Sequence, residues 1–243
     1  MPAYDEHFYS GMHELTMYSA TEVLSILEEI LPPLASVVDI GCGVGTWLSV
    51  LRRKGITRVL GIDGDWVKRE MLQIPSECFM PADLAQPLRH LERFDLAISL
   101  EVAEHLPPEA ARGFVESLIH LADFVLFSAA IPYQGGVNHV NLQWPAYWCA
   151  LFQQQHYTAV DEIRSRIWND TRIPWWYKQN VVLYVKDSRL SELKLPAWFT
   201  PHTPHAIVHP EMYVETAKTA KLAEQIGNWL PGPLKQWIKR LRG

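Results

Sequence analysis

The feature that most constrains this chain is the run Val37-Val38-Asp39-Ile40-Gly41-Cys42-Gly43-Val44-Gly45-Thr46-Trp47, a short β-branched segment that breaks into alternating glycines. Glycines at such a turn admit left-handed backbone angles and let a ligand approach the main chain, beside the positive end of the helix that Thr46 to Lys54 should form. A nicotinamide-binding fingerprint requires GxGxxG. Here the third glycine comes one residue early and Thr46 stands in its place, which weighs against a dehydrogenase.

The strand–turn–helix rhythm continues along the chain. Thr21 to Leu31 places Val23, Leu24, Leu27, Ile30 and Leu31 on one helical stripe, stopped by Pro32 and Pro33. Strands are expected at Arg58 to Ile62 before Asp63, at Glu77 to Met80 before Asp83, at Phe94 to Leu100 before Glu101, and at Phe124 to Phe127. Glu109 to Leu121 and Trp144 to Gln155 read as helices. Thr158 to Ile163 and Asn180 to Val185 form a hairpin-like antiparallel edge, separated by the aromatic excursion Trp168 to Tyr177. These elements imply an α/β fold: a doubly wound, mostly parallel, Rossmann-like sheet of seven strands with one antiparallel edge strand and C-terminal helices. Its ligand crevice lies at the C-terminal strand ends. The expected division is an N-terminal helical cap (1–34), a central ligand-binding domain (35–187), a proline-rich linker (188–210) and C-terminal helices at Glu211 to Leu230 and Leu234 to Arg242.

Composition removes several classes of function. A net charge of -5 argues against broad nucleic-acid binding. Three dispersed cysteines, Cys42, Cys78 and Cys149, without a CxxC pair suggest neither a disulfide framework nor a thiolate zinc site, so a reducing cytoplasm is expected. The N-terminus lacks a signal-peptide pattern, and no apolar run reaches membrane-span length.

With its glycine turn and its acids in order past successive strands, the chain resembles the class I S-adenosylmethionine (SAM)-dependent methyltransferases over residues 36–186. The strings Ser99-Leu-Glu-Val-Ala-Glu-His-Leu106, Phe127-Ser-Ala-Ala-Ile-Pro132 and Asn138-His-Val-Asn-Leu-Gln-Trp-Pro145 are similar to a less described subgroup of these enzymes, which supports the reaction class and says little about the acceptor. The resemblance implies SAM as cofactor, with S-adenosylhomocysteine (SAH) as product. Asp39, Gly41, Cys42, Gly43 and Gly45 would surround its methionine part, and Asp63 with Gly64 its ribose. Asp83, Leu84 and Trp66 would meet the adenine, and Leu100 and Glu101 would also line the cofactor site. Independently of any family, a carboxylate past a strand end can accept two vicinal hydroxyls, and an aromatic wall suits a purine face. One such acid is more often a solvated loop residue; four in order are not.

Methyl transfer from a sulfonium is an in-line displacement that needs an aligned nucleophile and, for an alcohol, a base. His105 is the first candidate for that base, with Glu104 and His139 beside it. Glu101, Glu104, His105 and His139 also form a candidate Mg or Mn set, at a spacing that resembles metal-dependent methyltransferases of RNA ribose or of catechol-like quinone precursors. The loop Gly135 to Asn141 with Gln143, Trp144, Tyr147 and Trp148 is expected to combine acceptor pocket and core. Trp168, Trp175, Trp176 and Tyr177 would form a lid or cover the sheet edge, and Tyr4, His7, Phe8, Tyr9 and Tyr18 are placed to close over SAM. His202, His205 and His209 read as a solvated loop. The segment 234–242 is a basic amphipathic helix suited to a membrane surface, a partner groove or its own domain. The leading expectation is O-methylation of a small molecule or saccharide. The alternatives are N-methylation, metal-dependent RNA ribose methylation, and a non-catalytic SAM-binding interaction protein.

Overall fold

The computed structural model describes residues 6–88 and 90–229. A seven-stranded sheet forms its centre, built from β1 (Ser36–Ile40), β2 (Arg58–Asp63), β3 (Phe79–Pro81), β4 (Leu96–Leu100), β5 (Phe124–Ser128), β6 (Tyr157–Val160) and β7 (Val182–Lys186) in the spatial order β3-β2-β1-β4-β5-β7-β6. β1 to β5 pair in parallel, while β7 runs antiparallel to both β5 and β6. The reversed strand therefore sits one position in from the end of the sheet, with β6 outside it. All five residues of β1 and of β5 are buried, as in strands covered on both faces.

Helices cover the two faces. α1 (Glu6–Ile30) and α2 (Thr46–Arg53) pack on one side through Leu24, Leu27, Leu48 and Leu51; α3 (Ala111–Leu121) and α4 (Pro145–Gln153) close the other through Phe114, Leu118, Trp148 and Phe152. Two short helices, α5 (Arg164–Ile167) and α6 (Trp175–Asn180), carry the chain from β6 to β7, and α7 (Pro210–Trp229) follows a long irregular segment.

Several boundaries differ from expectation. α1 begins at Glu6 rather than Thr21, because its first turns carry too little apolar periodicity to announce a helix. The segment before α7 is no free linker at its end: His209 is buried, packs at a tilt against Trp168 with ring centroids 4.6 Å apart, and donates its backbone N–H to Gln179 at 2.8 Å. The solvated reading is thus corrected for His209, while His202 and His205 are exposed. Tyr18 donates to Asp170 at 2.8 Å, with the Arg172 guanidinium over its ring. Tyr4, the side chains of His7, Phe8 and Tyr9, and the helix expected at Leu234 to Arg242 lie outside the described residues. No helix among the described residues is long and apolar enough to cross a membrane.

Candidate active site

The strand order reverses between β1 and β4, and connections leave the sheet there in opposite directions, opening a crevice at the C-terminal strand ends. The glycine turn forms its floor. Gly41 and Cys42 both donate to the Ile62 carbonyl, at 2.7 and 3.2 Å, which folds the turn back over β2. Gly41, at φ +83°, lies so close to Val102 that a Cβ would stand 2.2 Å from its Cγ2. Gly43, at φ +52°, faces open space with nothing within 4 Å of a Cβ. The first glycine serves packing, and the second keeps room for a ligand.

Two carboxylates stand beside this turn. Asp63 accepts N–H bonds from Gly43 and Gly64, both at 2.7 Å; burial raises its pKa, and those two amides pull it back. Asp39 is 3% exposed, its Oδ2 has no hydrogen-bond partner, and burial followed by repulsion from Asp63 pushes it up to about 8. A buried acid left so exposed to its own desolvation cost suits a site that receives a cation-bearing ligand. Trp66 is 75% exposed and lays its six-membered ring over Gly64. Asp83 is exposed and accepts the Ala85 N–H at 3.0 Å, and Leu84 is buried behind it. Cys42 is a buried thiol whose pKa burial drives upward, so it is inert packing in the turn.

Past β4, a 3-10 turn at Ala103–His105 brings a second group together. Glu104 is fully buried and neither carboxylate oxygen has a hydrogen-bond partner; burial and then the neighbouring Glu101 hold its pKa well above the carboxylate range. One ligand atom each from Glu104, His105 and His139 lie within 4.8 Å of one another, and the two imidazoles meet edge-on. Partial desolvation and mutual repulsion lower the His105 pKa, and desolvation lowers that of His139, so both rings are neutral at pH 7. His139 packs so tightly over Gly136 that a Cβ there would fall 2.1 Å from its Nε2. The backbone N–H groups of Val140 and Asn141 both donate to the Glu104 carbonyl, which docks the 131–144 loop onto this turn.

Glu101 stands apart from that trio. Its carboxylate accepts bonds from Gln134 Nε2 at 2.7 Å and Asn180 Nδ2 at 3.0 Å, and its backbone, at φ +56°, is tied to Ser128. Gln134 Oε1 in turn accepts from Asn180 at 2.9 Å, and buried Gln179 extends the network to His209. Gln134, Gln179 and Asn180 were invisible as site residues in the sequence, since amides carry no spacing signature. Tyr177 is also buried in this region, edge-on to Trp47 at 5.6 Å, and its hydroxyl is pushed up to about 12, by burial first and by Glu101 next. The aromatic excursion therefore covers the site with Tyr177, Trp175 packs on Met212, and Trp168 clamps His209. Trp148 on α4 is core, while Trp144 just before it is 40% exposed, and Tyr133, Val137 and Val140 stand out from the adjoining loop.

A doubly wound sheet, a glycine turn that leaves room above Gly43 and an acid in or just past each of the first four strands together define a class I SAM-dependent methyltransferase. A family model described as a methyltransferase domain matches residues 12–162, more than half of the chain, and the chain belongs to that family. Its cofactor is SAM. Among solved structures it is similar in fold to magnesium protoporphyrin IX methyltransferase from Synechocystis PCC 6803 with bound SAH, at 20% identity and a TM-score of 0.52 over 76% of this chain and 89% of that one. It is likewise similar to the methyltransferase domain of the bacterial CtHen1-C, at 18% identity and a TM-score of 0.50 over 70% and 98%. The complex of the Haloferax volcanii Trm112 methyltransferase activator with its methyltransferase gives 16% identity and a TM-score of 0.56 over 74% and 94%. No curated protein sequence matches the chain.

Asp63→Ala is expected to weaken SAM binding by roughly a hundredfold, since it removes both a candidate ribose acceptor and the carboxylate that fixes the Gly43 amide. Isothermal titration with SAM and SAH checks this, and an unchanged affinity would exclude Asp63 from the cofactor site.

Proposed function

We propose that this methyltransferase transfers the SAM methyl group to a hydroxyl of a small molecule or saccharide, with His105 taking the hydroxyl proton. The acceptor oxygen attacks the sulfonium methyl in line, the C–O bond forms as the C–S bond breaks, SAH leaves, and the proton passes to a ring nitrogen of His105. The supporting observation is the trio itself: a neutral, solvent-accessible imidazole at the mouth of the crevice, braced by His139 and by the turn that buries Glu104. The exposed side chains of Tyr133, Val137, Val140 and Trp144, next to the half-buried amide of Gln143, suit a hydroxylated and partly planar ligand. The cytoplasm is the compartment that the dispersed free cysteines favour, and nucleic acid is disfavoured by the charge.

One observation favours a second reading, in which Glu104, His105 and His139 hold a divalent cation. A fully buried carboxylate with two unpartnered oxygens beside two neutral imidazoles matches the donor set of such an ion. Glu101 does not join them here, because two amides occupy it. Two imidazoles with one carboxylate suit Mn or Zn better than Mg. When bound, a cation would polarise the acceptor oxygen, and His105 would serve as a ligand rather than a base.

Glu104→Gln separates the two. Under the first reading His105→Ala lowers turnover of catechol or methyl-glycoside probes by about 10²-fold or more, EDTA changes nothing, and Glu104→Gln has a smaller effect. Under the second, EDTA abolishes turnover and Glu104→Gln removes Mn²⁺ binding measured by titration. Full activity in His105→Ala sinks both.

A further inference from the structure

A tight turn follows β5, closed by the Gln134 N–H on the Ile131 carbonyl at 3.0 Å, with Tyr133 at φ +68°. Pro132 followed by a left-handed residue is the pattern of a type II turn, and it delivers Gln134 into the interior, where it is 5% exposed. The Ile131 N–H settles which end of that buried amide is oxygen. It donates to Gln134 Oε1 at 3.3 Å, and Asn180 Nδ2 donates to the same atom at 2.9 Å, so Nε2 is left to face Glu101, 2.7 Å away. Gln134 makes a second contact through its backbone. Its carbonyl meets His139 Nδ1 at 3.4 Å, and a carbonyl only accepts, so Nδ1 carries the proton of the neutral ring and Nε2 keeps the lone pair. His105 is held from the same loop, by the carbonyls of Val137 and Asn138.

Glu101 belongs to the other end of the crevice. It follows β4 where the strand order reverses, and the Tyr177 hydroxyl feels both its carboxylate and that of Asp39, so the two acids flank one region. Among the described residues Glu101 is held by neutral donors alone, the side chains of Gln134, Asn180 and Ser128. A ligand that brings an ammonium and a sulfonium supplies the positive charge that these donors lack. We propose that Gln134 is a positioning residue for methyl transfer: its side chain sets Glu101 at the cofactor end while its carbonyl sets His139 at the acceptor end, which fixes the spacing between the two. In-line displacement depends on that spacing, since a misplacement of about 1 Å costs on the order of a hundredfold in rate. One buried residue bonded to both ends is a stiffer link than two loops that adjust independently. The link holds whether His105 takes a proton or joins a cation, so it stands apart from both readings of the acceptor site.

The test is a double-mutant cycle read by titration with SAM. Gln134→Met keeps the side-chain length but loses the amide, and Glu101→Gln removes the charge through which Gln134 acts. Gln134→Met is expected to weaken SAM about tenfold in the wild-type background and by less than about twofold in Glu101→Gln. A residue that merely fills space loses equally in both backgrounds. Equal losses, or none, overturn the proposal. The acceptor end is read by the ring-nitrogen NMR resonances of His139, assigned by their disappearance in His139→Gln. SAM should shift them in the wild type, and at saturating SAM that shift should largely vanish in Gln134→Met. No shift in the wild type, or an unchanged one in the variant, overturns the coupling. The wild type supplies a check that survives a variant that does not fold: Nδ1 carries the His139 proton in those spectra, and a proton on Nε2 instead removes the carbonyl contact on which the proposal stands.

Discussion

Gly41→Ala is expected to destabilise the protein by about 3 kcal/mol or more and to abolish SAM binding, because the new methyl group meets two obstacles at once. The backbone at φ +83° lies in the left-handed region, and the Cβ would sit 2.2 Å from Val102 Cγ2 and 2.8 Å from its Cγ1. Val102 cannot retreat easily: it is buried, and it begins the turn that holds Glu104 and His105. The strain is therefore delivered to both halves of the site. Gly43→Ala is the control. Its Cβ meets nothing, so its stability cost is the backbone preference of about 1 kcal/mol, yet it fills the space above the turn and should still weaken SAM. Chemical denaturation alongside titration checks the pair. Equal stability losses for the two variants would refute the division of labour between the glycines.

Asp39→Asn should stabilise the cofactor-free protein at neutral and alkaline pH while costing SAM affinity. Asp39 is fully desolvated, and burial followed by repulsion from Asp63 pushes it up to about 8, against an ordinary carboxylate value of 3.8. A raised folded pKa means that the native state binds the proton more tightly than the unfolded chain does. The contribution of Asp39 is thus fully present below the unfolded pKa, and is lost progressively as pH rises from about 4 through about 8, a cost on the order of several kcal/mol. The amide removes that decline, so melting profiles of wild type and variant should diverge with rising pH. SAM, which brings a sulfonium and an amino group, should bind the wild type more tightly as pH rises from 6 to 8, and this dependence should vanish in Asp39→Asn. Parallel melting profiles across that range would show that Asp39 is not the buried acid described here.

How much of this was legible beforehand follows from the range over which each feature is decided. The β1–glycine turn–α2 unit, the acids in β1, at the end of β2 and past β4, and the Glu104-His105 pair are each marked by short-range features, so residue type and spacing sufficed to mark them. The trio itself was only half legible. His105 and His139 are 34 positions apart, and what joins them is the folding of the 131–144 loop back onto the Glu104 carbonyl. The removal of Glu101 from the candidate metal set could not be foreseen, because its partners Gln134 and Asn180 come from a loop and from the end of α6.

The sequence by itself determined the parallel half of the sheet, the position of the glycine turn and the reaction class, because these rest on short-range geometry: a left-handed backbone turn that favours glycine, and apolar runs whose period fixes strand or helix. Tertiary structure alone decided where β7 inserts, between β5 and β6, and how the amides converge on Glu101. It alone decided that His209 is buried while the described side chains of α7 beyond Met212 are exposed. Those outcomes depend on which surfaces are left to bury once the central strands have paired, and that competition among distant segments leaves no periodic trace in the chain.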